Sequence, residues 1–380
     1  MRELSWAVRL LLVNQFGVNT GFYLLVPYLA THFTKDLGLS AAVTGVILGV
    51  RNLSQQGLFL VGGSAADRFG ARWVIIAGCA VRVVGFALFA FGVTVPLLLA
   101  AAVLSGLAGA LFNPAVRAYI AVDAPDKAKA FALFNVFAQA GALCGPVLGG
   151  VLLLVDFQAA ALAAAGIFAV LTAAQALVLP AREVPPSGSS VLGDWRRCLG
   201  DRRFLAFILA LSGMYALQNQ LYLVLPLAAE QATGTPGSVA LLFLVSTVAT
   251  LLFQMRITKW LEAATSRARA MALGLAVMGA GFLAPAVLPG LVPVLGAVLA
   301  LAFGVMMAQP FVYERIGQFG GESLTGTYFG MFYLVSGVIA AASTALIGWA
   351  GAAGPAVCVA IGLACAAAVL VQERRTTAPA

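Results

Sequence analysis

The sequence predicts an all-α polytopic membrane protein of twelve transmembrane helices, arranged as two six-helix bundles. Three observations predict it. Of the 380 residues, 62% are hydrophobic and 9% charged, whereas soluble domains carry about 25% charged residues. Apolar windows of about 20 residues, long enough to cross the hydrocarbon core as a helix, recur along the whole chain. The arginines and lysines gather in every second connection, which orients the spans.

Taken in order, the spans fall at 7–31, 41–63, 73–93, 96–121, 130–153, 157–179, 204–228, 237–258, 270–288, 291–313, 325–348 and 354–371. Arg2 and Arg9 stand at the start of the first, Arg68 and Arg72 after the second, and Lys127 and Lys129 after the fourth. Arg182, Arg196, Arg197, Arg202 and Arg203 follow the sixth; Lys259, Arg267 and Arg269 the eighth. Arg315 follows the tenth, and Arg374 and Arg375 the twelfth, whereas the opposite connections hold essentially one basic residue, Lys35. Basic residues mark the cytoplasmic side, so both termini are expected there and the number of spans is even. The expected location is the cell (inner or plasma) membrane. The first apolar run is far longer than a signal-peptide core and is read as a retained span.

The same distribution excludes other classes. The net charge of +8 is spread through short loops and forms no nucleic-acid face. Five cysteines show no metal spacing, and four fall inside spans as small packing residues. With one histidine, His32, and none of the 14 Asp and Glu residues in mid-span, there is no nucleophile–base pair and no metal cluster. No catalytic residue, metal or cofactor is expected.

Residues 181–203 form the only long polar connector. Its Pro-Pro-Ser-Gly-Ser-Ser core reads as a flexible turn, and its arginine-rich end as a segment at the anionic inner leaflet. It divides the chain into an N-terminal bundle, 1–180, and a C-terminal bundle, 204–380. In the fifth span, Gly141, Gly145 and Gly149 recur every four residues and leave one helix face bare, so another backbone can approach closely. Pro146 removes a donor and favours a bend, and Gly150 completes the run. In the loop after the second span, Gly63 allows close approach and Gly70 a tight turn, while Asp67 can accept from a helix N-terminus or a neighbouring arginine.

These two stretches carry a family resemblance. Gly141-Ala142-Leu143-Cys144-Gly145-Pro146-Val147-Leu148-Gly149-Gly150 resembles the GxxxGPxxGG signature of antiporters of the major facilitator superfamily. Gly63 to Arg72 resembles that superfamily's GxxxDRxGRR loop, with Ala71 in place of one arginine. The resemblance implies the major facilitator fold and the multidrug-resistance, drug:proton antiporter branch. It also implies that the fifth span lies at the interface of the halves and is tied to export. The loop, with Asp67, Arg68 and Arg72, becomes a latch that stabilises the outward-facing state. One feature departs from the pattern: the arginine usual in the fourth span falls on Ala102, although Ser105-Gly106-Leu107-Ala108-Gly109-Ala110 keeps the small-residue tail.

Charged groups at membrane depth mark cavities or internal networks. Arg51 is central in the second span and Arg82 in the third; Arg117, nearer the cytoplasmic end of the fourth, can also snorkel. Arg51 and Gln55 are four apart and share a face. With Asn19 and Asn113 in the first half, and Asn219, Tyr222, Gln309 and Tyr313 in the second, they form the candidate substrate contacts. Aromatic walls with a few polar groups suit an amphipathic ligand. The expected function is export of small amphipathic organic molecules, such as drugs or secondary metabolites, by proton antiport with alternating access. The expected partners are the substrate, protons and membrane lipids, and the expected state is a monomer. An importer or symporter of an organic anion on the same fold, with Arg51 and Arg82 as counter-charges, is the alternative.

Overall fold

A computed structural model describes residues 4–181, 190–222, 224–234, 238–321, 323–350 and 353–377. Every regular element among them is helical. The first span is α1 (Trp6–Leu25), started by Ser5, whose hydroxyl accepts from the Val8 N–H. Pro27 then tightens the chain into a turn, after which short α2 (Leu29–Thr31) opens into a wider π turn at His32–Asp36. Next come α3 (Ala41–Gly57) and α4 (Phe59–Phe69), interrupted at Leu58. Then follow α5 (Ala71–Phe91), α6 (Val95–Asp123), α7 (Lys127–Leu152) and α8 (Phe157–Val178).

Beyond the connector lie α9 (Val191–Gly200), α10 (Arg202–Gln218), α11 (Val224–Thr233), α12 (Ser238–Ala264) and α13 (Arg267–Ala280). Short α14 (Leu283–Val287) precedes α15 (Leu291–Gly320), α16 (Thr325–Trp349) and α17 (Gly354–Thr377). Asp156, Asp201 and Ser266 each cap a helix start through their side-chain oxygen, satisfying N–H groups that have no partner within the helix.

Among the described residues, eleven helical stretches are long and apolar enough to cross a membrane. The expected second span, 41–63, is the one missing from them. Its polar run Arg51, Asn52, Ser54, Gln55 and Gln56 and the break at Leu58 leave α3 and α4 at 17 and 11 residues. Added to the eleven, the α3–α4 pair supplies the twelfth crossing. The expected connector also needs refinement. Residues 182–189 lie outside the described residues, but 191–200 are helical, with Asp194 and Cys198 buried one turn apart.

The chain divides into two compact units. The first holds Met1–Asp126, Phe137–Cys198 and Ile316–Leu334; the second holds Lys127–Val136, Leu199–Arg315 and Val335–Ala380. Small residues let the helices of each unit touch by their backbones. In the first, a Cβ at Gly106 on α6 would lie 2.4 Å from the Arg51 carbonyl oxygen of α3. In the second, one at Gly279 on α13 would lie 2.9 Å from the Gly362 Cα of α17. Fully buried Phe86, Phe89, Phe112 and Phe168 fill the core of the first unit.

Candidate functional site

Asp67 lies near the end of α4, four residues past the expected second span. Its Oδ1 accepts from the Gly326 N–H at 2.7 Å and its Oδ2 from the Thr327 N–H at 2.6 Å. Both donors belong to the first turn of α16, where backbone N–H groups have no helical partner and the helix dipole is positive. The approach requires glycine on both sides. A Cβ at Gly63 would fall 2.0 Å from the Gly326 oxygen, and one at Gly326 would fall 2.4 Å from the Gly63 oxygen. Burial pushes the Asp67 carboxyl up to about 7, while the hydrogen bonds from Thr327 and Gly326 oppose that rise.

The turn itself is made by Gly70, at φ +82°, a conformation that favours glycine. Arg68 Nη2 donates to Asp194 Oδ2 of α9 at 2.7 Å, with the Asp194 side chain only 3% exposed. Arg72 Nη2 donates to the Ala176 carbonyl of α8 at 2.7 Å and lies over Trp73. Trp195 Nε1 donates to Ser64 Oγ at 2.7 Å, and the Ser64 and Thr327 hydroxyls stand 3.3 Å apart. Of the two partners open to Asp67, the structure assigns it the helix end and gives the neighbouring arginine to Asp194. Asp194 and Trp195 escaped the sequence reading because 181–203 looked like a turn and a surface segment. The four-residue spacing of Asp194 and Cys198 beside a tryptophan is the signal that marks a buried face.

The glycine face of α7 packs on α1, in the first unit. A Cβ would lie 2.3 Å from the Phe16 oxygen at Gly141, 2.7 Å from Tyr23 Cβ at Gly145 and 2.1 Å from the Leu24 oxygen at Gly149. At Gly150 it would meet the Tyr28 hydroxyl in ordinary contact, at 3.6 Å. That hydroxyl donates to the Pro146 carbonyl at 2.8 Å. Asn19 belongs to the same seam: its Nδ2 donates to the Ala138 carbonyl of α7 at 2.8 Å and its Oδ1 accepts from Gln15.

The remaining candidates fall into separate groups. Gln55 lies against Gly109 on α6. Arg51 sits over the Phe22 ring at 5.1 Å and donates to Asn52. Arg82 is enclosed by Phe112 and Phe168, its Cζ 5.3 and 5.4 Å from their ring centres. Asn113 accepts from Arg117 through its carbonyl and side-chain oxygens, while Arg117 Cζ lies 5.1 Å above the Tyr333 ring. Arg117 therefore faces protein.

In the second unit, Gln309 Nε2 donates to the Tyr313 hydroxyl at 3.0 Å, and the Tyr215 hydroxyl stands 3.1 Å from it. Phe131 meets the Tyr313 ring edge-on at 5.2 Å. Asn219 ends α10, at the start of the tight turn Asn219–Tyr222. The side chain of Tyr222 lies outside the described residues. The structure thus joins Gln309, Tyr313 and Tyr215 in one polar cluster, and engages Asn19 and Asn113 in helix contacts.

Comparison with known proteins gives these contacts a family context. A family model described as Major Facilitator Superfamily matches residues 11–344. A putative uncharacterized MFS-type transporter of Mycobacterium tuberculosis is 42% identical over 344 residues, covering 87% of this chain and 82% of that protein. The multidrug resistance protein MdtH of Klebsiella pneumoniae is 31% identical over 350 residues, covering 91% and 87%. Among solved structures, the fucose:proton symporter FucP of E. coli superposes with a TM-score of 0.77 over 98% of both chains, at 18% identity. With its all-helical fold and its motif loop on the α16 N-terminus, this chain belongs to the major facilitator superfamily of membrane transporters.

Proposed function

We propose that this transporter exports small amphipathic organic molecules from the cytoplasm by proton antiport with alternating access. The observation that carries the reading is the docking of Asp67 on the first turn of α16. It is an electrostatic contact that forms or breaks as a unit, the kind of two-state element that gating requires. In this reading Gly63, Asp67, Arg68, Gly70 and Arg72 form the gate. Gly141, Gly145, Pro146, Gly149 and Gly150 provide a close-packed seam with α1 that the cycle loosens and restores. Substrate contacts come from Arg51, Gln55 and Arg82, with Asn19 and Asn113 beside them, and from Asn219, Tyr222, Gln309 and Tyr313. Two bundles, 1–180 and 204–380, work as a monomer in the cell membrane, with both termini and the 181–203 connector in the cytoplasm.

The name of the MdtH relative, multidrug resistance protein, supports export as the direction. The test is uptake of chloramphenicol, a neutral amphipathic compound, into everted membrane vesicles energised to an acidic interior. Uptake that collapses with the proton gradient and is absent from vesicles lacking the protein is expected. Accumulation in right-side-out vesicles instead would establish the importing alternative.

A further inference from the structure

Arg51 and Arg82 are 9% and 4% exposed, inside the first unit. Aromatic faces screen them in part, but a ring accepts none of the in-plane N–H bonds of a guanidinium. Arg51 Nη1 and Arg82 Nε and Nη1 have no hydrogen-bond partner among the described residues. No ion pair joins either to an acid among the described residues.

A third unpartnered group, the buried hydroxyl of Ser105, belongs to the same place. The Ser105 N–H is 3.1 Å from where a Cβ of Gly85 would stand, and Gly85 is one turn along α5 from Arg82. The next residue, Gly106, abuts the Arg51 carbonyl. Two enclosed cations with three idle N–H donors and a free hydroxyl are strongly disfavoured in a low-dielectric interior unless an anion joins them.

We propose that Arg51, Arg82 and Ser105 form a receptor for the carboxylate of an amphipathic organic anion, the transported molecule itself. A carboxylate accepts from all three idle N–H groups and from the Ser105 hydroxyl, and its single charge leaves the pocket with less net positive charge. Half-buried Phe22, beside Arg51, offers apolar area for the rest of such a molecule. The site names the substrate class of the transporter proposed above, and so rests on that reading for the fate of the ligand, although not for its binding.

The experiment uses the full-length protein in nanodiscs, with 2-naphthoate as the probe and 2-naphthamide as its neutral counterpart. Naphthoate is expected to raise Tm saturably and naphthamide to leave it unchanged. Its affinity should fall at least tenfold in Arg51→Gln and in Arg82→Gln, and return in part in Arg82→Lys. Arg51→Gln carries the test alone where Arg82→Gln fails to accumulate.

Equal stabilisation by the amide, or undiminished naphthoate affinity in the glutamine variants, overturns the proposal. So does saturable stabilisation by sodium chloride over sodium gluconate that naphthoate cannot compete away, which would assign the pocket to a resident inorganic ion. Export of chloramphenicol without naphthoate binding removes the anion site and leaves the export reading standing. Naphthoate binding without transport of either compound does the reverse: the site stands but the role in transport falls.

Discussion

Gly145 offers the most quantitative test of the seam between α1 and α7. A Cβ there would stand 2.7 Å from Tyr23 Cβ, 2.8 Å from the Thr20 carbonyl oxygen and 2.9 Å from the Leu24 nitrogen. Unstrained carbon contacts lie at about 3.5–4.0 Å, so even alanine asks the helices to part by roughly 1 Å. Two of the three obstructing atoms are backbone, which no rotamer change can move aside. Overpacking of this kind costs about 1–3 kcal/mol, and about 1.4 kcal/mol is a tenfold change in a population ratio. The state with the tighter seam bears that cost, and its share falls by roughly 5- to 150-fold.

Gly145→Leu is therefore expected to insert and fold but to lose turnover, held in the state with the looser seam, and Gly145→Ala to be milder. Gly166 on α8 is the control, because a Cβ there meets nothing within 4 Å. Initial transport rates in proteoliposomes, measured with ligand affinity and labelling of an outward-facing cysteine, separate a trapped carrier from a misfolded one. Normal transport by Gly145→Leu would show that the seam does not move, and the export inference would lose its physical basis.

Asp67→Asn keeps the shape but replaces one of the two accepting oxygens with an amide nitrogen, a donor, so one of the two short bonds to α16 is lost. A buried N–H left without its acceptor costs about 1–3 kcal/mol, so transport should fall at near-normal expression; unchanged rates and unchanged gate accessibility refute the gating role. Burial holds the Asp67 carboxyl at about 7 when docked, against an ordinary 3.8. A carboxyl raised in one state binds its proton more tightly there, so docking should be fully favoured below about pH 4 and weaken as pH rises through about 7. Spin-label distances between positions 69 and 318, followed across that range, should show the shift in wild type and a flat response in Asp67→Asn. Asp194→Asn breaks a 2.7 Å ion pair to Arg68 and should release α9, read as faster proteolysis within 191–200 with α1 and α7 intact; an unchanged digest speaks against docking. Cysteines placed at 35 and 188 in a cysteine-free background should label from outside and not from outside, respectively, and the reverse would undo the topology.

Composition and the recurrence of apolar windows were enough to read helix type and number, because in lipid every span must satisfy its own backbone and exclude charge. The glycine periods in 141–149 showed that a backbone would come close, since bare faces four residues apart admit nothing else. They could not show that the partner is α1, because many helices can fill such a groove and only packing selects one. Asp67 announced a partner by its place after Gly63, yet choosing between a helix end and Arg68 required the position of α16, some 260 residues on. The partners of the linker helix were illegible for the same reason. Asp194 and Trp195 look like surface residues until Arg68 and Ser64 are brought beside them. Local patterns register what each segment can do against lipid or water, whereas pairings distant in sequence are decided by which backbones the small residues allow to meet.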